Sequence, residues 1–282
     1  DPVVSTTTST TPQQLEAGAA WAFSVVTKEN GGTVIDNPLD IVGLYDNSLS
    51  LDSGPISRQT YVGAGTHDVV YSLTVPGDYA YTLRVNLMPL AANPYEVTIV
   101  PGPTYAPMSG ASGAGLVESK VGETVEFVVV ARDEYGNRRR AGGDIVLASV
   151  SSVDSQVLVS CTDNSDGSYT CAYATQIGGS YVLSVQLNSV AIGGSPWSFK
   201  VLAVCDVGYF AQTEYGPCLA CPLEAYSDVV NAPECKACPP HTSATPLASS
   251  IYNCTCLKGY FQPDQLSGLP CLRCPEGGIC PG

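Results

Sequence analysis

The chain has 282 residues, 12 Lys and Arg against 26 Asp and Glu, and a formal net charge of −14 at pH 7. Its length allows about two domains, and its acidity argues against nucleic acid, whose phosphates bind clustered cations. Nor is there an apolar run of the roughly 18 or more residues that a membrane span needs.

The chain opens on Asp1 without a leader pattern and stops inside a cysteine pattern, as expected for a piece of something longer. Residues 1–13, with "STTTSTTP" at 5–12, have almost no apolar members and are expected to be a Ser/Thr-rich linker suited to O-glycans. From 14 to 102, apolar and polar residues alternate in short runs between Gly, Asn and Asp turns, the pattern of antiparallel strands. His67 and Asp68 are neighbours on one such run. Adjacent strand residues face opposite ways, so they form no catalytic relay, and His67 reads as structural.

Shifting the chain by 102 residues aligns Gly65 with Gly167, Tyr71 with Tyr173, Gly77 with Gly179 and Tyr79 with Tyr181, then Pro94 with Pro196. "GDYAYTLRVNL" thus meets "GSYVLSVQL", and "NPYEVTIV" meets "SPWSFKVL". Two copies of one unit are expected, 14–102 and 103–203, each with six or seven strands in about 100 residues, an immunoglobulin-like sandwich. In the second copy "GASGAG" (110–115) matches neither a nucleophile elbow nor a phosphate loop and reads as an irregular first strand. Arg138, Arg139 and Arg140 form the one basic cluster. A solvated loop is the simpler reading; an acidic ligand or sulfated glycan is the sharper one.

"CTDNSDGSYTC" (161–171) has a calcium-loop composition, but placing Gly167 sixth puts Tyr173 where a bidentate Glu belongs. Its flanks are strand-like, so a hairpin about Asp166 is expected, with Cys161 opposite Cys171 and within disulfide reach. No metal or other cofactor is expected.

Ten further cysteines crowd the segment 204–282: Cys205, Cys218, Cys221, Cys235, Cys238, Cys254, Cys256, Cys271, Cys274 and Cys280. This density marks a disulfide scaffold in an oxidising compartment. Zinc fits poorly, because three C-x2-C pairs do not divide into tetrahedral sites and His241 is the nearby histidine. Ten cysteines allow about 945 pairings. Short loops favour neighbours in order: Cys205–Cys218, Cys221–Cys235, Cys238–Cys254, Cys256–Cys271 and Cys274–Cys280. Asn253-Cys254-Thr255 is a glycosylation sequon.

"VVVARDEYGNRRRAGGDIV", "DNSDGSYTCAY", "GGSYVLSVQL" and "GGSPWSFKV" together resemble the filamin-type immunoglobulin repeat over 103–202, and more loosely over 14–101. The C-x2-GYF and C-x2-C-P spacing of 205–280 resembles the ephrin-receptor-like (GCC2/GCC3) cysteine-rich module. These resemblances imply an all-β chain: two tandem filamin-type sandwiches followed by a disulfide-rich module related to growth-factor-receptor and TNF-receptor repeats. They also imply a non-enzymatic, extracellular structural or adhesion protein whose partners are other protein chains, with a receptor ectodomain as the alternative. Algal surface filaments such as flagellar mastigonemes are a setting that the resemblance suggests. In the filamin family a partner peptide often adds beside the third and fourth strands. This transfers a candidate partner edge to Asp144, Val146, Ala148, Ser149, Val150 and Ser151, with "SQVLVSC" (155–161) beside it.

Overall fold

The computed structural model describes residues 6–7, 14–29, 32–46, 56–89, 94–153, 155–263 and 271–280. It divides into two compact units: 1–110 with 130–144 and 165–168, and 111–129 with 145–164 and 169–282.

The first sandwich contains β1 (Thr6–Thr7), β2 (Gln14–Glu16), β3 (Ala20–Val26), β4 (Val42–Asp46), β5 (Ile56–Gly63), β6 (Thr66–Ser72), β7 (Gly77–Val85), β8 (Met88–Pro89) and β9 (Tyr95–Val100). One sheet runs β1-β3-β6-β5 and the other β2-β9-β7-β4, with β8 paired to β7. Alternation on β3, β6 and β7 turns Trp21, Phe23, Val25, Val69, Tyr71, Tyr81 and Leu83 into one core. Each such side chain contributes roughly 1.5–3 kcal/mol on full burial. The same alternation buries His67, whose Nδ1 lies 3.1 Å from Gln59 Nε2, and leaves Asp68 in solvent, where it accepts from the Ser24 hydroxyl at 2.6 Å. Of the stretch expected to be linker, Thr6–Thr7 instead pairs with Val25–Val26, so this part of it is strand. Residues 1–5 and 8–13 lie outside the described residues.

The second sandwich repeats this plan with β10 (Gly110–Ser112), β11 (Ser119–Lys120), β12 (Thr124–Val130), β13 (Val146–Ser151), β14 (Gln156–Leu158), β15 (Ser160–Asp163), β16 (Ser168–Ala174), β17 (Gly179–Leu187), β18 (Val190–Ala191) and β19 (Trp197–Leu202). Its sheets run β10-β12-β16-β15 and β11-β19-β17-β13-β14. The 102-residue shift superimposes β6 to β9 on β16 to β19, while β3 and β4 meet β12 and β13 at a shift of 104. An ungapped comparison therefore catches only the rear half of the repeat.

The front half is equally faithful. Lys28 bridges Val34 as Arg132 bridges Arg138, and Gly32 and Gly136 both have φ of 84°. At the rear, Gly65 and Gly167 have positive φ, and a Cβ there would lie 2.4 Å from the Ile35 carbonyl or 2.3 Å from that of Arg139. Glycine is required at both places.

The second core, with Phe127, Tyr173, Tyr181, Leu183 and Phe199, carries its tyrosine hydroxyls on backbone carbonyls: Tyr173 on Gly115 and Tyr181 on Ile177. Burial pushes the Tyr173 phenol up to about 12.

The cysteine-rich segment is four two-stranded hairpins: β20 (Tyr209–Phe210) with β21 (Leu219–Ala220), β22 (Ala225–Tyr226) with β23 (Lys236–Ala237), β24 (Thr242–Ser243) with β25 (Thr255–Cys256), and β26 (Tyr260–Phe261) with β27 (Leu272–Arg273). Three residues after Cys205, Cys221, Cys238 and Cys256 stand Gly208, Glu224, His241 and Gly259, each with positive φ. The segment thus repeats one hairpin four times, "CDVGYF" and "CLKGYF" opening the first and the last of these hairpins, and Gly277, three residues after Cys274, has positive φ as well. A small core within it holds Tyr226, Ala244, Ala248 and Cys254.

Candidate interaction surface

β13, where a partner edge is expected, is an inner strand. β14 pairs with Ser149–Ser151, so those residues are bonded on both sides, and β14 is the outer strand. Asp144 precedes the strand and accepts the Thr104 hydroxyl at 2.8 Å. Val150 faces the core and Ser151 solvent, while Val146, Ala148 and Ser149 are half-buried. Register places Leu147 opposite Gln186, Ser149 between Ser184 and Leu158, and Ser151 between Val182 and Gln156. Cross-strand neighbours share a face, so Leu147 (50% exposed), Leu158 (90%) and Val182 (38%) form an uncharged apolar patch among serines and glutamines. The strand period of "SQVLVSC" already sets Leu158 with Gln156 and Ser160, opposite Val157, Val159 and Cys161, and the structure turns that face outward.

A second constellation, inside the first compact unit, was not legible as a site. The loop 132–140 closes on the segment 101–102. Asp133 is 1% exposed and accepts from the Gly102 N–H (2.9 Å), the Tyr135 N–H (3.0 Å), and the Asn137 N–H and amide (both 2.9 Å). Burial pushes its pKa up. The side-chain bond from Asn137 and the backbone bonds outweigh this, so the carboxyl titrates below the ordinary value of 3.8. The Asn137 amide also donates to the Thr74 carbonyl at 2.7 Å, and Arg139 Nη1 to that of Gly102 at 2.7 Å. The Tyr135 ring occupies the space beside Gly18 that any side chain there would fill. At the 104-residue shift Asp133 falls on Glu29, Asn137 on Thr33 and Arg139 on Ile35. Comparing the two loops at that shift is the signal that would have singled these residues out.

The three arginines differ in state. Arg138 pairs with Asp166 at 2.6 Å, Arg139 is held on carbonyls, and Arg140 is exposed with no hydrogen bond or ion pair among the described residues. The solvated-loop expectation therefore describes Arg140 and misses Arg139.

In the 161–171 hairpin, Cys161 stands directly opposite Cys171 in register and is bonded to it, with Cα atoms 4.0 Å apart. Asp166 accepts the Ser168 hydroxyl and N–H, which hold its pKa below the usual carboxylate range, and Asn164 donates to the Thr170 hydroxyl. Among the described residues no group of three or more His, Cys, Asp or Glu is arranged to hold a metal ion. The tail cysteines bond as Cys205–Cys218, Cys221–Cys235, Cys238–Cys254, Cys256–Cys271 and Cys274–Cys280. In the second unit, Tyr215 donates to Glu118 at 2.6 Å beneath the Lys200 ammonium, and Ala203 N–H donates to the Glu214 carbonyl at 2.7 Å. Asn253 is exposed, its side-chain oxygen accepting from the Ser249 N–H. No helix among the described residues is long and apolar enough to cross a membrane.

Comparison with known proteins finds matches for two stretches of the chain. Residues 103–198 match the filamin/ABP280 repeat, and 208–254 match the "tyrosine-protein kinase ephrin type A/B receptor-like" module. The E3 ubiquitin-protein ligase TRIM71 of Gallus gallus is 32% identical over 106 residues, 37% of this chain and 12% of the ligase. Tripartite motif-containing protein 2 of Ailuropoda melanoleuca is 30% identical over 111 residues, 39% of this chain and 15% of that protein. The chain thus spans less than a sixth of the length of these relatives. Among solved structures, the Escherichia coli adhesin FdeC aligns over 74% of this chain and 68% of its own, with TM-score 0.46 and 20% identity. The Lin-41 filamin domain aligns over 36% of this chain and 97% of its own, with TM-score 0.32 and 26% identity.

Proposed function

We propose that this chain is a segment of a secreted or cell-surface modular protein that works by protein–protein contact, as a structural or adhesive element of an extracellular assembly. The proposed divisions are a first sandwich to residue 102 that includes Thr6–Thr7, a second from 103 to 203, and the stapled module from 204. Six disulfides in a chain of this size favour an oxidising compartment. The observation that carries the reading is the outer strand β14 with its apolar, uncharged patch of Leu147, Leu158 and Val182. An outer strand leaves N–H and C=O groups unpaired, and alternate side chains select a partner strand by shape. Partner addition near this edge, implied by the filamin resemblance, supports the same surface. Asn253, exposed within its sequon, supports a glycoprotein; algal filaments remain the setting proposed from resemblance.

The test is binding of the whole chain, coated on beads, to the cell surface or filament it comes from, together with its self-association in sedimentation. Leu158→Glu places a charge on the patch without touching the core. It should weaken adhesion or assembly about ten-fold, equivalent to about 1.4 kcal/mol, with an unchanged melting temperature. Unaltered adhesion and assembly would remove β14 as the contact.

A further inference from the structure

A groove of about 520 Å³ lies within the first compact unit, lined by Pro76, Pro101, Asn137, Arg138, Arg139, Arg140 and Asp166. It inverts the sign of the molecule: three guanidinium groups face one carboxylate in a chain of net charge −14. Their charge is poorly compensated. Arg139 sits on the Gly102 carbonyl rather than on an acid, and its Nε is buried without a hydrogen-bond partner. Arg138 and Asp166 are each about half exposed, so their ion pair is weak and can exchange for another anion. Arg140 is unpaired among the described residues. Asp133 does not line the groove, and Gly102, Tyr135 and Asn137 occupy its oxygens.

The rest of the lining decides what kind of anion fits. Pro76 and Pro101 have no N–H, and the Gly102 N–H is taken by Asp133 and its carbonyl by Arg139. A peptide main chain would find few free backbone partners there. Apolar proline rings beside planar forked donors suit instead a sugar ring that carries sulfate or carboxylate.

We propose that this groove binds an anionic saccharide, a chain bearing sulfate or uronate groups. Arg138 and Arg140 take the acidic groups, Arg139 is the fixed charge at the floor, and Pro76 and Pro101 pack against the sugar faces. The test is titration calorimetry of the whole chain with a heparin-derived octasaccharide, with neutral dextran and a poly-glutamate peptide as the other arms. Binding of the octasaccharide and not of dextran is expected, weakening as salt rises. Arg140→Ser should cut affinity about ten-fold or more, the scale of one lost charge-assisted hydrogen bond. It should leave the melting temperature in place, because Arg140 is bonded to none of the described residues. Arg138→Ser should do the same, whereas Lys258→Ser in the cysteine-rich segment should bind like the unaltered chain. Equal affinity in Arg140→Ser and Arg138→Ser, or no binding at all, would overturn the proposal. Equal binding of poly-glutamate would overturn it in favour of an acidic peptide.

Discussion

At the residue scale, Asp133 shows how one carboxylate organises a loop. Its partners all donate, so an amide in its place would turn an N–H₂ toward N–H groups. Asp133→Asn should destabilise the first unit by roughly 2–4 kcal/mol, the range for losing charged hydrogen bonds and leaving donors unsatisfied, read as a lower melting temperature at pH 7. The pH dependence follows from the depressed pKa. Folding favours the ionised form, so this stability is complete above the unfolded carboxyl value of about 3.9 and is lost as pH falls through the lower folded value. Melting curves between pH 5 and about pH 2 should therefore fall more steeply for the unaltered chain than for Asp133→Asn; parallel curves would refute the role. Gly167→Ala is the second residue-scale change. Positive φ costs a β-carbon about 1–2 kcal/mol, and contact with the Arg139 carbonyl adds to it. A loss of roughly 3 kcal/mol or more is expected in denaturant titration.

At the element scale, the hairpins report on what replaces a core. Cys161–Cys171 closes a loop of 10 residues, which the chain-entropy relation values at about 3 kcal/mol. The first sandwich does without it: Gln59 faces Val69 at the same point of its sheet. Cys161→Gln with Cys171→Val should keep the fold, seen in unchanged far-ultraviolet dichroism, and lower stability by about that amount. In the four-fold tail, Glu224 occupies the turn position that Gly208 and Gly259 hold in their own copies. Glu224→Gly should stabilise the segment by roughly 1 kcal/mol, because it removes a left-handed β-carbon. A lower melting temperature would show that the Glu224 side chain has a compensating role.

At the scale of the whole molecule, the two ways of resisting unfolding are kept in different places. The first sandwich has a core of large aliphatic and aromatic side chains and no cysteine; the tail has five bridges and a small core around Tyr226. Under reducing conditions, hydrogen exchange should accelerate over 205–280 while β3, β6 and β7 keep their protection. Loss of protection in β3, β6 and β7 on reduction would show that the sandwich leans on the stapled segment.

Strand alternation, turn glycines, the recurring tyrosines and the cysteine spacing were enough to read two sandwiches and a stapled tail, because each is a local rule: a period of two, a positive φ, a short loop. The Cys161–Cys171 hairpin belongs to this class, its turn residues setting the register. What the local rules missed depends on distance in space. Thr6–Thr7 has no apolar residue to mark it as strand and is one only because β3 offers a free edge. The front of the repeat is offset by two residues, so the 102-residue shift passes over it, although Phe23 and Phe127, Val25 and Val129, and Gly32 and Gly136 match at 104. Glu224 and His241 do not look like Gly208 and Gly259, yet the backbone treats the four alike. The burial of Asp133 and the gathering of three arginines against Pro76 and Pro101 needed the folded chain. Each pairs residues far apart in sequence, and side-chain exposure there is set by what packs alongside, not by the neighbours in the chain.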